Sequence, residues 1–166
     1  MHTLPRAFVQ ILLLLIGLSL RCIPGASASH LAMDLTVDGS PHAAHAGADT
    51  MPPENGKNPR PLVHVRIGDG VKLHWSVKNT EGTKLDTLLV HVFVVREAQA
   101  GQKEVPDPRK GAVWETISAT ALGPGKETQG EAAVPISEPG TYLVRVESKF
   151  TQHTHEHFAA VDLVAK

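Results

Sequence analysis

From residue 62 onward the apolar residues recur at every second position in short runs. Turn signals cut the runs apart, at Gly68-Asp69-Gly70, Thr80-Glu81-Gly82, Gly123-Pro124-Gly125 and Pro139-Gly140. A period of two is that of a strand with one buried face, because successive side chains of an extended backbone point to opposite sides. The Gly and Pro residues fall between the apolar runs and supply turn geometry, and no run between them carries the period of an amphipathic helix. That pattern restricts the chain to an all-β fold.

Taken in order, strands are predicted over residues 62–67, 71–79, 87–96, 113–118, 129–136 and 141–147, with a last one entered from the histidines at 153–157. In the second, Val71, Leu73, Trp75 and Val77 share one face and Lys72, His74, Ser76 and Lys78 the other, so Trp75 should be buried while His74 faces solvent. The third is apolar on both faces (Leu88, Val90, Val92, Val94 against Leu89, His91, Phe93, Val95), as a central strand is. Pro135 cannot donate to a ladder and places the fifth at an edge or a strand end. Seven turn-separated strands with no internal repeat predict a single-domain, seven-stranded antiparallel β-sandwich of the immunoglobulin or fibronectin III type over residues 62–166.

The remainder reads differently. Arg6 supplies a short basic n-region, residues 7–20 form an apolar h-region, and Ala26-Ser27-Ala28 is a small-x-small cleavage site, so residues 1–28 are expected to be a signal peptide. Export to the periplasm, cell envelope or extracellular space follows. Cys22, the single cysteine, falls inside that leader, leaving no disulfide framework and no thiolate chemistry. The chain has 16 basic and 17 acidic residues; losing Arg6 and Arg21 with the leader leaves 14 against 17, which gives no footprint for nucleic acid or anionic lipid. Residues 29–61 carry Gly39-Ser40-Pro41, Pro52-Pro53 and Asn58-Pro59-Arg60-Pro61 and are expected to be a disordered tail, dispensable for folding. That tail holds His30, Met33, His42, His45 and Met51, a copper-compatible mix of imidazole and thioether.

Groups capable of chemistry concentrate at His153, His155 and His157. At period two they would line one strand face, with neighbours roughly 7 Å apart, close enough for a pair to chelate one ion. His91, which interrupts an otherwise apolar strand, is the best candidate to complete the set. Neutral imidazoles without thiolates point to copper or zinc, and the tail methionines extend the choice to copper(I). No nucleophile elbow, His-Glu-x-x-His helix, P-loop or cysteine nucleophile occurs, so a non-catalytic role is expected.

The strand–turn layout from Leu62 to Lys166, and the run Pro139-Gly140-Thr141-Tyr142-Leu143-Val144 in particular, resembles exported bacterial immunoglobulin-like domains. CopC-like copper-handling proteins share that architecture, and the resemblance implies metal binding through scattered histidines. The expectation is an exported metal-binding sandwich for metal carriage or sensing. The alternative is an interaction module in which Leu89, Phe93 and Val95 dock an envelope protein partner and the histidines are incidental.

Overall fold

The computed structural model describes residues 30–39, 42–48, 60–150 and 157–166. The leader at 1–28 lies outside them. Among the described residues there are nine strands: β1 (Leu31–Asp38), β2 (Ala43–Gly47), β3 (Leu62–Val65), β4 (Gly70–Asn79), β5 (Leu85–Glu97), β6 (Ala112–Leu122), β7 (Glu127–Pro135), β8 (Gly140–Phe150) and β9 (His157–Ala165). One short helix, α1 (Pro108–Gly111), interrupts the β5–β6 connection, capped by Asp107 Oδ1, which accepts from the Arg109 amide at 3.1 Å.

The strands form two sheets, one of four in the order β2-β1-β4-β7 and one of five in the order β3-β9-β8-β5-β6. Every pairing is antiparallel except β3 with β9, which run parallel. The alternation read from the sequence sets which face of each strand turns inward. Leu31, Leu35 and Val37 of β1, Val71, Leu73 and Val77 of β4, Val90, Val92 and Val94 of β5, and Val161 and Leu163 of β9 join one buried apolar cluster between the sheets. The fold is therefore all-β and sandwich-like. Tyr142, buried at the start of β8, donates its hydroxyl to the Glu138 carbonyl at 2.8 Å and clamps the turn that leads into that strand.

Three expectations are corrected. The strands number nine rather than seven, and one pair is parallel. Within the expected tail, residues 31–38 and 43–47 are strands, and β1 lies between β2 and β4 with Leu31, Met33, Leu35 and Val37 all buried. Trp75 does face inward with its strand but is only half-buried. The cause is its place near the open side where the edge strands β6 and β7 end the two sheets; there its ring lies 6.2 Å from that of Trp114.

A second, outward-facing cluster of Phe93, Val95, Leu143 and Ala160 is buried on the far side of the five-stranded sheet. Beside it sits a buried charge group. Arg60 Nη2 donates to both Glu97 carboxyl oxygens, at 3.2 and 2.9 Å, and to the Gln102 carbonyl at 3.0 Å. Arg60 Nε lies 2.9 Å from Asp162 Oδ1 as an ion pair, with its N–H aimed off that line. Asp162 Oδ2 accepts from the Gly101 amide at 2.6 Å, so the β5–β6 connection is tied down over this face.

Candidate functional site

The start of β1, the far end of β8 and the start of β9 meet at one end of the sandwich. His157 is the first residue of β9 and is cross-strand partner to Ser148 of β8. The period-two rule turns both inward, and both are buried. Met33, on the inward face of β1, brings its thioether into the same region, where Ser148 Oγ donates to Met33 Sδ at 3.4 Å. His30 immediately precedes β1, and its ring meets that of His157 edge-on with centroids 6.2 Å apart.

The turn after β4 completes this end. Asn79 is fully buried, and its Nδ2 reaches the Thr83, Leu122 and Gly123 carbonyls at 2.8, 3.0 and 3.2 Å. Its Oδ1 accepts the Glu81 amide at 2.9 Å, and the Thr80 amide donates to the His30 carbonyl at 3.1 Å. So held, Glu81 presents its carboxylate to His30 Nδ1.

Two imidazoles, a thioether and a carboxylate thus gather from β1, β9 and the β4–β5 turn. Imidazole and thioether donors suit copper in either oxidation state, and imidazole with carboxylate suits zinc. Among the described residues no three His, Cys, Asp or Glu side chains converge as a ready-made metal cage. A metal here would need Met33, or a further ligand from the β8–β9 connection, to complete its shell. His153 and His155 belong to that connection and lie outside the described residues. His155 precedes His157 by two residues, so about 7 Å of extended chain at most separates their Cα atoms.

His91 does not join this group. It points out of the opposite face of the same sheet, where it is the cross-strand neighbour of Glu147 and Ile117. Both ring nitrogens are engaged there: Nε2 lies 3.1 Å from Glu115 Oε2 and Nδ1 3.3 Å from Glu147 Oε1. Glu147 also accepts from Arg145 Nε at 2.8 Å, and the Arg145 guanidinium stacks on Phe158 at 4.1 Å. His91 is the centre of a cross-strand polar ladder, and the expectation that it completes a site with His157 is corrected.

No family model matches this chain, and no curated protein matches it. The site therefore stands on its own geometry.

His64 and His74 are exposed, as their strand faces require, and His74 sits 3.5 Å from Asp38 and 3.7 Å from Glu131. The alternative docking face is reduced, because Phe93 and Val95 are buried in the outward cluster and Leu89 alone of the three is exposed.

Two features of this region depart from the expected tail. His30 and Met33 belong to a strand and its entry, and Leu31, Met33, Leu35 and Val37 alternate strictly with Ala32, Asp34, Thr36 and Asp38, which is the strand signal. Arg60 stood among prolines with nothing local to show that it would be buried against Glu97 and Asp162.

Proposed function

We propose that this chain is an exported, non-catalytic metal-binding β-sandwich that carries or senses copper or zinc, with His30, Met33 and His157 as core ligands and His155 and His153 completing the shell. One observation carries the reading. Side chains that are more than a hundred residues apart in sequence, the imidazole and thioether of His30 and Met33 beside β1 and His157 at the start of β9, meet at a single end of the sandwich. Export rests on the leader-like residues 1–28, and the absence of enzyme motifs supports carriage or sensing over catalysis.

The immunoglobulin-type fold belongs to the same proposal. It is supported by the order β3-β9-β8-β5-β6 facing β2-β1-β4-β7, by the parallel β3–β9 pair, and by the Tyr142 hydroxyl bonded to Glu138 at the turn before β8. A tyrosine clamping the corner before the penultimate strand is a feature of immunoglobulin sandwiches.

The test is titration of copper(I), copper(II) and zinc into the full chain, followed by native mass spectrometry. Met33→Leu, which nearly conserves volume, and His155→Ala should each weaken binding of at least one of the metals. The expected result is one ion per chain. Absence of stoichiometric binding of all three, or binding unchanged in both variants, would sink the reading.

A further inference from the structure

A sheet edge offers unpaired amides and carbonyls to any other strand, and folded proteins protect their edges with short strands, charges, prolines or covering segments. Among the described residues the two sheets have four edge strands. β2 has five residues and β3 has four, the latter preceded by Pro61. β7 carries Glu127 and Glu131 and ends on Pro135. β6 is different. It has eleven residues, AVWETISATAL, with Glu115 as its one charge and no proline or lysine, and among the described residues it pairs with β5 alone. Its register shifts fall at the two ends of the β5–β6 ladder, so Trp114 to Thr120 is regular, pairable backbone. Ile117, at its middle, is 65% exposed, the highest value among the exposed large apolar side chains.

The side chains of β6 read nearly the same in both directions about Ser118. If a second copy is laid antiparallel with Ser118 opposite Ser118, Thr116 faces Thr120 and Trp114 faces Leu122 on the inward side. On the outward side Ile117 faces Ala119 and Glu115 faces Ala121. Hydroxyl meets hydroxyl and apolar meets apolar, pairings that stabilise cross-strand contacts. The two Glu115 carboxylates stay six residues out of register, roughly 20 Å apart along the strand. Registers centred one residue to either side lose this match: about Ile117, Trp114 meets Thr120, and about Ala119, Thr116 meets Leu122. A symmetric dimer needs one surface complementary to itself, and this edge has that property without any change of fold.

We infer that β6 is a homodimerisation edge, pairing antiparallel with β6 of a second copy about a two-fold axis at Ser118 and joining two five-stranded sheets into one of ten. The inference does not depend on the metal reading.

Sedimentation of the metal-free full chain tests it. A dimer is expected that dissociates on dilution. Ser118 is exposed, so Ser118→Lys leaves the fold intact while setting two ammonium groups opposite each other, and it should raise the dimer dissociation constant by about a hundredfold or more. In a Cys22→Ser background, Ser118→Cys should form an inter-chain disulfide under mild oxidation, whereas Gln129→Cys on the exposed face of β7 should not. A chain that sediments as a monomer at the highest attainable concentration overturns the inference and leaves β6 to a strand from another protein. A dimer that survives Ser118→Lys, or one that cross-links through Gln129→Cys and not Ser118→Cys, overturns it as well.

Discussion

At position 130 a methyl group would sit 2.3 Å from Trp75 Cζ2, well inside the closest approach of two carbon atoms. Gly130 is the cross-strand partner of Trp75, and the indole lies across the space a side chain would fill. Gly130→Ala should therefore push the ring off Trp114 and destabilise the protein by about 1–3 kcal/mol, as overpacking does. Gly82→Ala, with nothing within 4 Å of the added carbon, should be close to neutral. Urea denaturation of the two variants separates these outcomes, and equal midpoints would mean the indole is free to move. The other residue-scale expectation concerns Glu97. Burial raises its pKa from 4.5 to about 7 against the opposing pull of Arg60, and burial raises Asp162 as well. Two carboxyls share one guanidinium, so between about pH 4.5 and 7 the folded state holds a proton on Glu97 that the unfolded chain releases. Its contribution to stability is fully present below pH 4.5 and is lost as the pH rises through about 7. Stability measured across that window should fall with rising pH, and Glu97→Gln should flatten the slope. A slope unchanged by the substitution would place the linked proton on another group.

Elements differ in how well the sequence announces them, and β1 shows why. The strands from β4 to β8 follow from alternation and turn residues, with ends displaced by a few residues because strand termini are set by pairing partners rather than by local pattern. β1 alternates as clearly as β4, but the Gly, Ser and Pro after it, and a partner strand made of Ala43, Ala44, His45, Ala46 and Gly47, carry no strand propensity that would mark a sheet there. β2 is a strand because β1 lies beside it. The same reasoning divides the candidate site: period two puts His157 on one face of its strand, but only the sheet pairings reveal that this face is the inward one, opposite to His91. A sequence cannot display which of two alternating faces meets the core when both carry apolar residues, as in β5. The consequence for truncation is sharp. Removing residues before Arg60 deletes Leu31, Met33, Leu35 and Val37 from the core. At about 1.5–3 kcal/mol for each buried side chain, the loss is comparable with the roughly 5–15 kcal/mol net stability of a whole domain. A chain beginning at Arg60 should show no cooperative thermal transition by circular dichroism; a transition near that of the intact chain would mean β1 and β2 are accessory.

For the molecule as a whole, the position of the proposed ligands matters more than their number. Met33 lies on β1 of the four-stranded sheet and His157 on β9 of the five-stranded one, so a shared metal ion would join the two sheets at one end of the sandwich. A ligand that binds the folded state alone stabilises it by mass action, by about 2.7 kcal/mol at a free concentration a hundred times its dissociation constant. Copper(I) should therefore raise the melting temperature of the full chain, and the rise should grow with metal concentration until solubility limits it. Thioether sulfur favours copper(I) over zinc, so Met33→Leu should abolish most of the copper(I) shift while changing any zinc shift little. Metal competes with protons for the imidazole nitrogens, so both shifts should shrink toward acid pH. Loss of the copper(I) and zinc shifts together in Met33→Leu would mean that the substitution disturbs the packing between β1 and Ser148 rather than removing a ligand. A copper(I) shift that survives both Met33→Leu and His30→Ala would move the metal away from this end of the sandwich altogether.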